Sequence, residues 1–285
     1  MTVLEVIQRS SEFLARKGVD SPRLQIELLL AHVLQMPRMK LYLNFERSLS
    51  APELEAVREL VKRRGEREPL QHIVGSVSFC GFEIAVDRNV LIPRPETELL
   101  AEQACQFLGA LGSEPAAVLD FGTGSGCLAV VLAARHPAVR VHAVDVSENA
   151  LGVARRNVER HGLADRIQFC HGDGLSVPAP ELKFNLIVSN PPYIPTNEIA
   201  ALQPEVRDHD PVLALDGGAD GLDFYRRLAV EGAPRLASGG RLMVELGDGQ
   251  APAVSNLLVA NAWNVERVEK DYSGRDRILI ARRVN

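Results

Sequence analysis

The apolar run FNLIVS (184–189) stops abruptly at Asn190-Pro191-Pro192-Tyr193. Two successive prolines each hold φ at about −65° and together remove two backbone donors, so the turn is stiff and rich in carbonyl oxygens. The Asn190 side-chain carbonyl and the Pro191 backbone carbonyl can each accept one N–H of a planar NH2 group. The lone pair of an amide or aromatic amine nitrogen is delocalised. Holding both protons leaves that pair aimed at an electrophile on the open side. Tyr193 can lie on the flat π-system next to the nitrogen. In-line displacement by such a nitrogen needs placement and charge stabilisation more than a strong base. No general base is therefore assigned, and His171 and His209 are read as surface or packing residues. Asn190, Pro191 and Tyr193 are the candidate catalytic residues, and Pro192 completes the acceptor-binding turn.

A second segment, VLDFGTGSGCLAVVLAARH, reads as a strand, a glycine turn and a helix. Gly122, Gly124 and Gly126, with Thr123 and Ser125 between them, allow close approach of backbone to a ligand. Amides at the start of the following helix attract polar or anionic groups. The spacing is G-x-G-x-G, whereas a dinucleotide fingerprint would need its third glycine at Cys127. The next strand ends in Asp145, where a carboxylate can accept from two ribose hydroxyls. His171-Gly172-Asp173-Gly174 follows the third strand and by its residues reads as a polar loop in which Asp173 caps a helix.

These residues need a sheet that brings strand ends to one edge. From Ala116 onward, strand-like and helix-like stretches alternate: AAVLDF, VRVHAVDV, RIQFCH, FNLIVS and RLMVEL, then a late pair near NVERVEK and RILIARR. Repeated β-then-α order with apolar strands predicts a doubly wound, mostly parallel α/β sheet, covered on both faces. The last two strands have no long helix between them, which predicts an antiparallel edge pair. SENALGVARRNVERHG reads as a helix with Ser147 as N-cap and Gly162 as its stop. VSFCGFEIAVDR reads as a connecting β-hairpin. The front of the chain reads as helical. Leu4, Ile7, Phe13 and Leu14 share a first buried face, Ser21-Pro22 opens a second helix, and Ser50 with Glu53 forms the capping box of a third. The expected organisation is a helical domain at 1–75, a hairpin linker at 76–90 and a catalytic domain at 91–285.

The chain has 285 residues, 46% of them apolar, enough for a large core without disulfides or structural metal. No apolar stretch is long enough to cross a bilayer, and the first residues lack the pattern of a secretory leader. Four dispersed cysteines without a C-x-x-C pair argue against zinc and against a disulfide framework, which points to a reducing cytoplasm and to no metal. The balance of 32 basic and 37 acidic residues gives a net charge of −5, against extensive nucleic-acid binding.

The glycine turn with Asp145 resembles the class I S-adenosylmethionine-dependent methyltransferases. That resemblance implies a Rossmann-like fold and S-adenosyl-L-methionine as cofactor, with S-adenosyl-L-homocysteine as product. Its methionine part would lie along Gly122, Thr123, Gly124, Ser125 and Gly126 up to Asn190, its ribose on Asp145 and its adenine near Asp173 and Gly174. N-P-P-Y occurs in methyltransferases acting on planar nitrogens. LIPRPETELL, VLDFGTGSG, SNPPYIP, DPVLALDGGADGLDFYRRL and DYSGRDRIL together resemble the release factor glutamine N5-methyltransferases of the HemK type, over nearly the whole chain. The resemblance implies methylation of the glutamine in the Gly-Gly-Gln loop of class I peptide chain release factors, with Arg94 and Pro95 near the acceptor. Phe121 stands where the family usually has leucine, and Gly174 where some members carry tryptophan. Three other readings stay open: a glutamine on a ribosomal protein, adenine N6 of a nucleic acid, and a cofactor-binding protein without turnover.

Overall fold

The computed structural model describes residues 1–179 and 181–284, which fall into two compact units. Met1–Ser76 together with Gln203–His209 forms one, and Val77–Leu202 with Asp210–Asn285 the other. The reading by sequence assigned Gln203–His209 to 91–285. It belongs instead with the first unit, where Glu205 takes hydrogen bonds from Arg64 Nη2 (2.9 Å) and from Arg67 Nε (2.7 Å) and Nη2 (2.5 Å). Burial would raise the Glu205 pKa, but these two guanidinium groups hold it down at about 2.

The first unit is built from helices Val3–Arg16, Pro22–Val33, Arg38–Leu41, Ala51–Gly65 and Leu70–Val74 around Ile7, Leu14, Ile26, Leu30, Leu41 and Val57. Ser50 caps as expected: its hydroxyl accepts from the Glu53 amide, and the Glu53 carboxylate accepts from the Ser50 amide at 2.8 Å. Two expectations need correcting. The first helix buries Val3, Val6, Ile7 and Leu14 fully, while Leu4 and Phe13 sit at the margin of that face. Ser21 precedes Pro22 but makes no side-chain cap. Ser21 takes a left-handed backbone, φ 49°, in place of the extended one from which a capping hydroxyl reaches the first amides.

In the second unit, β1 (Ser76–Phe79) and β2 (Phe82–Ala85) form a two-stranded hairpin. Its two-residue turn, Cys80-Gly81, has positive φ at both positions, as a twist-matched tight hairpin turn requires. The main sheet comprises β3 (Ala116–Phe121), β4 (Val139–Asp145), β5 (Ile167–His171), β6 (Phe184–Ser189), β7 (Leu236–Glu245), β8 (Trp263–Lys270) and β9 (Asp276–Arg283). Their spatial order is β5-β4-β3-β6-β7-β9-β8. The first five are parallel, and β9 inserts antiparallel between β7 and the edge strand β8. Because side chains alternate along a strand, Val118, Leu186, Val188 and Met243 face one core with the helices Pro95–Ala110 and Cys127–Arg135. Leu119, Ile187, Leu242 and Val244 face another, packed with Tyr225, Val254 and Trp263. The chain reverses between β3 and β6, so β4 leaves to one side and β6 to the other. Ligands of open α/β folds bind at that switch point, beyond the carboxyl ends of the strands. Among the described residues no helix is long and apolar enough to cross a membrane.

Candidate active site

One cavity opens at this switch point. Its lining includes Gly122 to Ser125 after β3, Asp145 at the end of β4, Gly172 and Asp173 after β5, and Asn190, Pro191 and Pro192 after β6. Four strand ends, spread over about seventy positions of sequence, therefore share one space. Gly126, Gly174, Tyr193, Arg94 and Pro95 are not among the lining residues.

The glycine turn is held from within. The amides of Gly122 and Thr123 both donate to the Val144 carbonyl, at 2.9 and 3.0 Å, and the Gly126 amide to the Thr123 carbonyl. The Gly124 amide donates to Asp145 Oδ2 at 2.8 Å, and the Ser147 amide to Oδ1 at 2.9 Å. The amides of Gly122, Thr123, Gly124 and Gly126 are thus already engaged and are not free for a ligand. The turn's contribution is shape. A Cβ at Gly122 or Gly124 would meet nothing within 4 Å, so both open onto free space. Gly126 serves differently: a Cβ there would come within 3.0 Å of Ala154 Cβ, so this glycine lets two helices approach. Asn157, fully buried, braces the turn by donating to the Ser125 carbonyl (2.8 Å) while exchanging hydrogen bonds with the backbone of Ala85.

Burial raises the pKa of Asp145, and its backbone hydrogen bonds pull the other way. Each of its oxygens retains a lone pair after these bonds, so the carboxylate can still accept from a ligand diol. Asp120, behind the turn, is fully buried. Desolvation raises its pKa to about 7 against a 2.7 Å hydrogen bond from Thr123 Oγ1. Asp173 caps no helix; it is exposed and pairs with Arg227 at 2.7 Å. His171 is exposed, its ring nitrogen 3.0 Å from the Val146 carbonyl.

The N-P-P-Y turn is held from outside. Ser189 at the end of β6 donates to the Phe121 carbonyl at 2.7 Å, fixing the two strand ends side by side. Ile194 pairs with the chain at Leu215–Gly217 through amide bonds of 3.0 and 2.9 Å, and Gln250 Nε2 donates to the Tyr193 carbonyl at 2.9 Å. Gly217 presses so close that a Cβ would lie 2.8 Å from Tyr193 Cα. Asn190 Nδ2 donates to Thr97 Oγ1 at 3.1 Å. Among the described residues neither Asn190 Oδ1 nor the Pro191 carbonyl accepts a hydrogen bond. Tyr193 is mostly buried, against the Tyr225 side of the core rather than in the lining, and burial pushes its hydroxyl up to about 12. Arg94 pairs at 2.8 Å with Asp210, whose carboxyl is raised to about 6 by burial in spite of the arginine.

Reading by sequence missed Thr97, Glu245, Asn157 and Gln250. Thr97 lies within RPETE and Gln250 four residues past the end of the RLMVEL strand, but neither spacing announces a partner more than fifty residues away.

A parallel sheet with a glycine turn after β3, an acid ending β4 and an N-P-P-Y turn after β6 defines a methyltransferase of the class I fold. The PrmC N-terminal domain family matches residues 5–75, and the methyltransferase small domain family residues 100–207. A release factor glutamine methyltransferase of Geobacter sulfurreducens is 47% identical over 279 residues, 98% of this chain and 95% of its own. One of Chlorobaculum tepidum is 46% identical over 98% of this chain and 96% of its own. Among solved structures, a methyltransferase from Pyrococcus furiosus shares the fold, with a TM-score of 0.51 and 20% identity over 71% of this chain and 89% of that one. The chain belongs to the release factor glutamine methyltransferase family.

Proposed function

We propose that this protein transfers a methyl group from S-adenosyl-L-methionine to the side-chain amide nitrogen of the glutamine in the Gly-Gly-Gln loop of class I peptide chain release factors, in the cytoplasm. The observation that carries the reading is the pair of unengaged carbonyl oxygens, Asn190 Oδ1 and Pro191 O, on a rigid turn that shares a cavity with the glycine turn and Asp145.

The residues present fit such a cofactor. Gly122 and Gly124 leave open the space a methionine chain would occupy, and Asp145 keeps acceptor capacity for the ribose diol. Phe121, Val146 and Ala150 give the cavity apolar walls for a flat base. When bound, the cofactor supplies a methyl already activated by its positive sulfur. Asn190 and Pro191 then fix the acceptor NH2 by accepting its two protons, so that its lone pair faces that methyl. The proton shed on methylation leaves to water, and the protein need supply no base. Tyr193 supports this turn from behind: its carbonyl is anchored to Gln250 and its ring to the core, so stiffness rather than stacking is the role we give it.

The helical unit is proposed to recognise the body of the release factor. Met39 and Leu43 are apolar and 67% and 85% exposed, beside a Tyr42 held by the buried Glu27, which suits contact with a protein. The net charge of −5 disfavours a nucleic-acid acceptor. The test is to incubate the protein with labelled cofactor and release factor and map the mass increment. Label on the Gly-Gly-Gln glutamine, lost after Gln→Glu exchange in that loop, is expected. Label on a ribosomal protein or on adenine instead would overturn the reading.

A further inference from the structure

Behind Asn190 stands a chain of two buried groups that no part of the reaction described so far uses. Thr97, in the first turn of the helix Pro95–Ala110, donates from Oγ1 to Glu245 Oε2 at 2.7 Å, and the same Oγ1 accepts from Asn190 Nδ2 at 3.1 Å. Thr97 and Glu245 are 2% and 1% exposed, so water does not compete for the bond between them, while Asn190 and Thr97 both border the cavity. The three residues come from a helix start and from the ends of β6 and β7, and lie 93 and 148 positions apart.

We propose that Thr97 and Glu245 are positioning residues that decide which end of the Asn190 amide faces the acceptor. An asparagine side chain can rotate by half a turn and offer NH2 where it offered C=O, with almost no change in shape. A threonine hydroxyl has one proton. A carboxylate accepts only, so it claims that proton and leaves Oγ1 with lone pairs alone toward Asn190. Only the NH2 end of Asn190 can satisfy them. The carbonyl end is thereby turned to the cavity, where an acceptor NH2 needs it. With Glu245 protonated the order can reverse: the carboxyl donates to Oγ1, the hydroxyl donates to Asn190 Oδ1, and an NH2 group confronts the NH2 of the acceptor. The inference rests on the proposed role of Asn190 and adds how its orientation is fixed.

The protonation state of Glu245 is set by several neighbours. Arg277 from β9 and Arg94 ahead of the helix favour the carboxylate, Glu96 in the first helical turn opposes it, and the hydroxyls of Tyr193 and Tyr225 face it without charge. Burial is the largest influence and brings the group to about 7. The carboxylate form, and with it the productive orientation, is gained as pH rises through that value.

Packing alone and the relay make opposite forecasts at Thr97. Valine keeps the branched shape and loses the hydroxyl; serine does the reverse. The relay predicts that Thr97→Val lowers kcat about 10- to 100-fold with cofactor Kd within about twofold, while Thr97→Ser stays within about threefold of the parent. Glu245→Gln should lower kcat about tenfold or more and abolish the rise of kcat with pH near neutrality. Independently of turnover, the side-chain NH2 resonances of Asn190, identified by their loss in Asn190→Ala, should shift with pH through one ionisation in the parent protein and not in Thr97→Val. Valine performing as well as serine, or Asn190 resonances indifferent to pH in the parent, would overturn the relay. If the resonances titrate but the parent methylates no glutamine, the proposed function fails while the relay stands.

Discussion

The two turns that meet in the cavity solve opposite problems. At Gly122–Gly126 the amides of Gly122, Thr123, Gly124 and Gly126 are engaged within the protein, by Val144, Thr123 and Asp145, and Gly122 and Gly124 open onto free space. At Asn190–Tyr193 the two prolines carry no donor, the Asn190 NH2 is held by Thr97, and two carbonyl oxygens of cavity-lining residues accept no hydrogen bond among the described residues. The first turn selects by shape and the second by hydrogen bonding. A polar group that can be left unpaired is costly when its partner is missing, whereas a smooth surface tolerates variants of what it holds. The proposed function therefore assigns discrimination between acceptors to the second turn and retention of the cofactor to the first.

The largest expected effect separates the two. Asn190→Ala should depress methyl transfer by about 3 kcal/mol, roughly a hundredfold or more in kcat, as for loss of one preorganised group. Cofactor affinity, read by calorimetry, should remain close to that of the parent. Gly122→Val should do the reverse, because a branched side chain there enters the cofactor space and is forced into left-handed backbone. The backbone strain alone is worth ~1–2 kcal/mol, so cofactor Kd should rise tenfold or more. Gly126→Ala sharpens the contrast within a single turn. Its Cβ would press on Ala154 rather than on the cavity, so about 1 kcal/mol of unfolding free energy should be lost with little change in cofactor Kd.

The smallest effect belongs to the helical unit and checks that destabilisation elsewhere mimics neither turn. Glu205 has its folded pKa lowered to about 2, so its contribution to stability is complete above the ordinary glutamate range and is lost as pH falls toward 2. After discounting for solvent screening this is about 1 kcal/mol, a shift of a few degrees in melting temperature. Glu205→Gln should remove most of that acid dependence while cofactor Kd at neutral pH is unaltered.

The strands β3 and β6 were legible because both are buried on two faces and read as largely apolar runs, interrupted at Asp120 and Asn185: AAVLDF and FNLIVS match Ala116–Phe121 and Phe184–Ser189. Asp145 and Asn190 were legible because each stands at the end of a strand-like stretch, and the carboxyl end of a parallel strand borders the ligand crevice. What holds them there was not. Thr97 and Glu245 meet across 148 positions, and no local period records that meeting. Gln203–His209 joins the first unit through Glu205, one carboxylate whose partners sit 138 and 141 positions away. Gly126 was grouped with its neighbours by spacing, although its neighbour in space is Ala154. Ser21 was misread because composition identifies a capping residue but not the φ that aims its hydroxyl.

The central claim is that the stiff turn after β6 grips an uncharged NH2 with two carbonyls. A crystal structure with S-adenosyl-L-homocysteine and a Gly-Gly-Gln peptide measures it directly. The account predicts the glutamine carboxamide nitrogen within hydrogen-bonding distance of both Asn190 Oδ1 and Pro191 O. A peptide whose carboxamide binds away from these two oxygens, with methyl transfer intact, would contradict it.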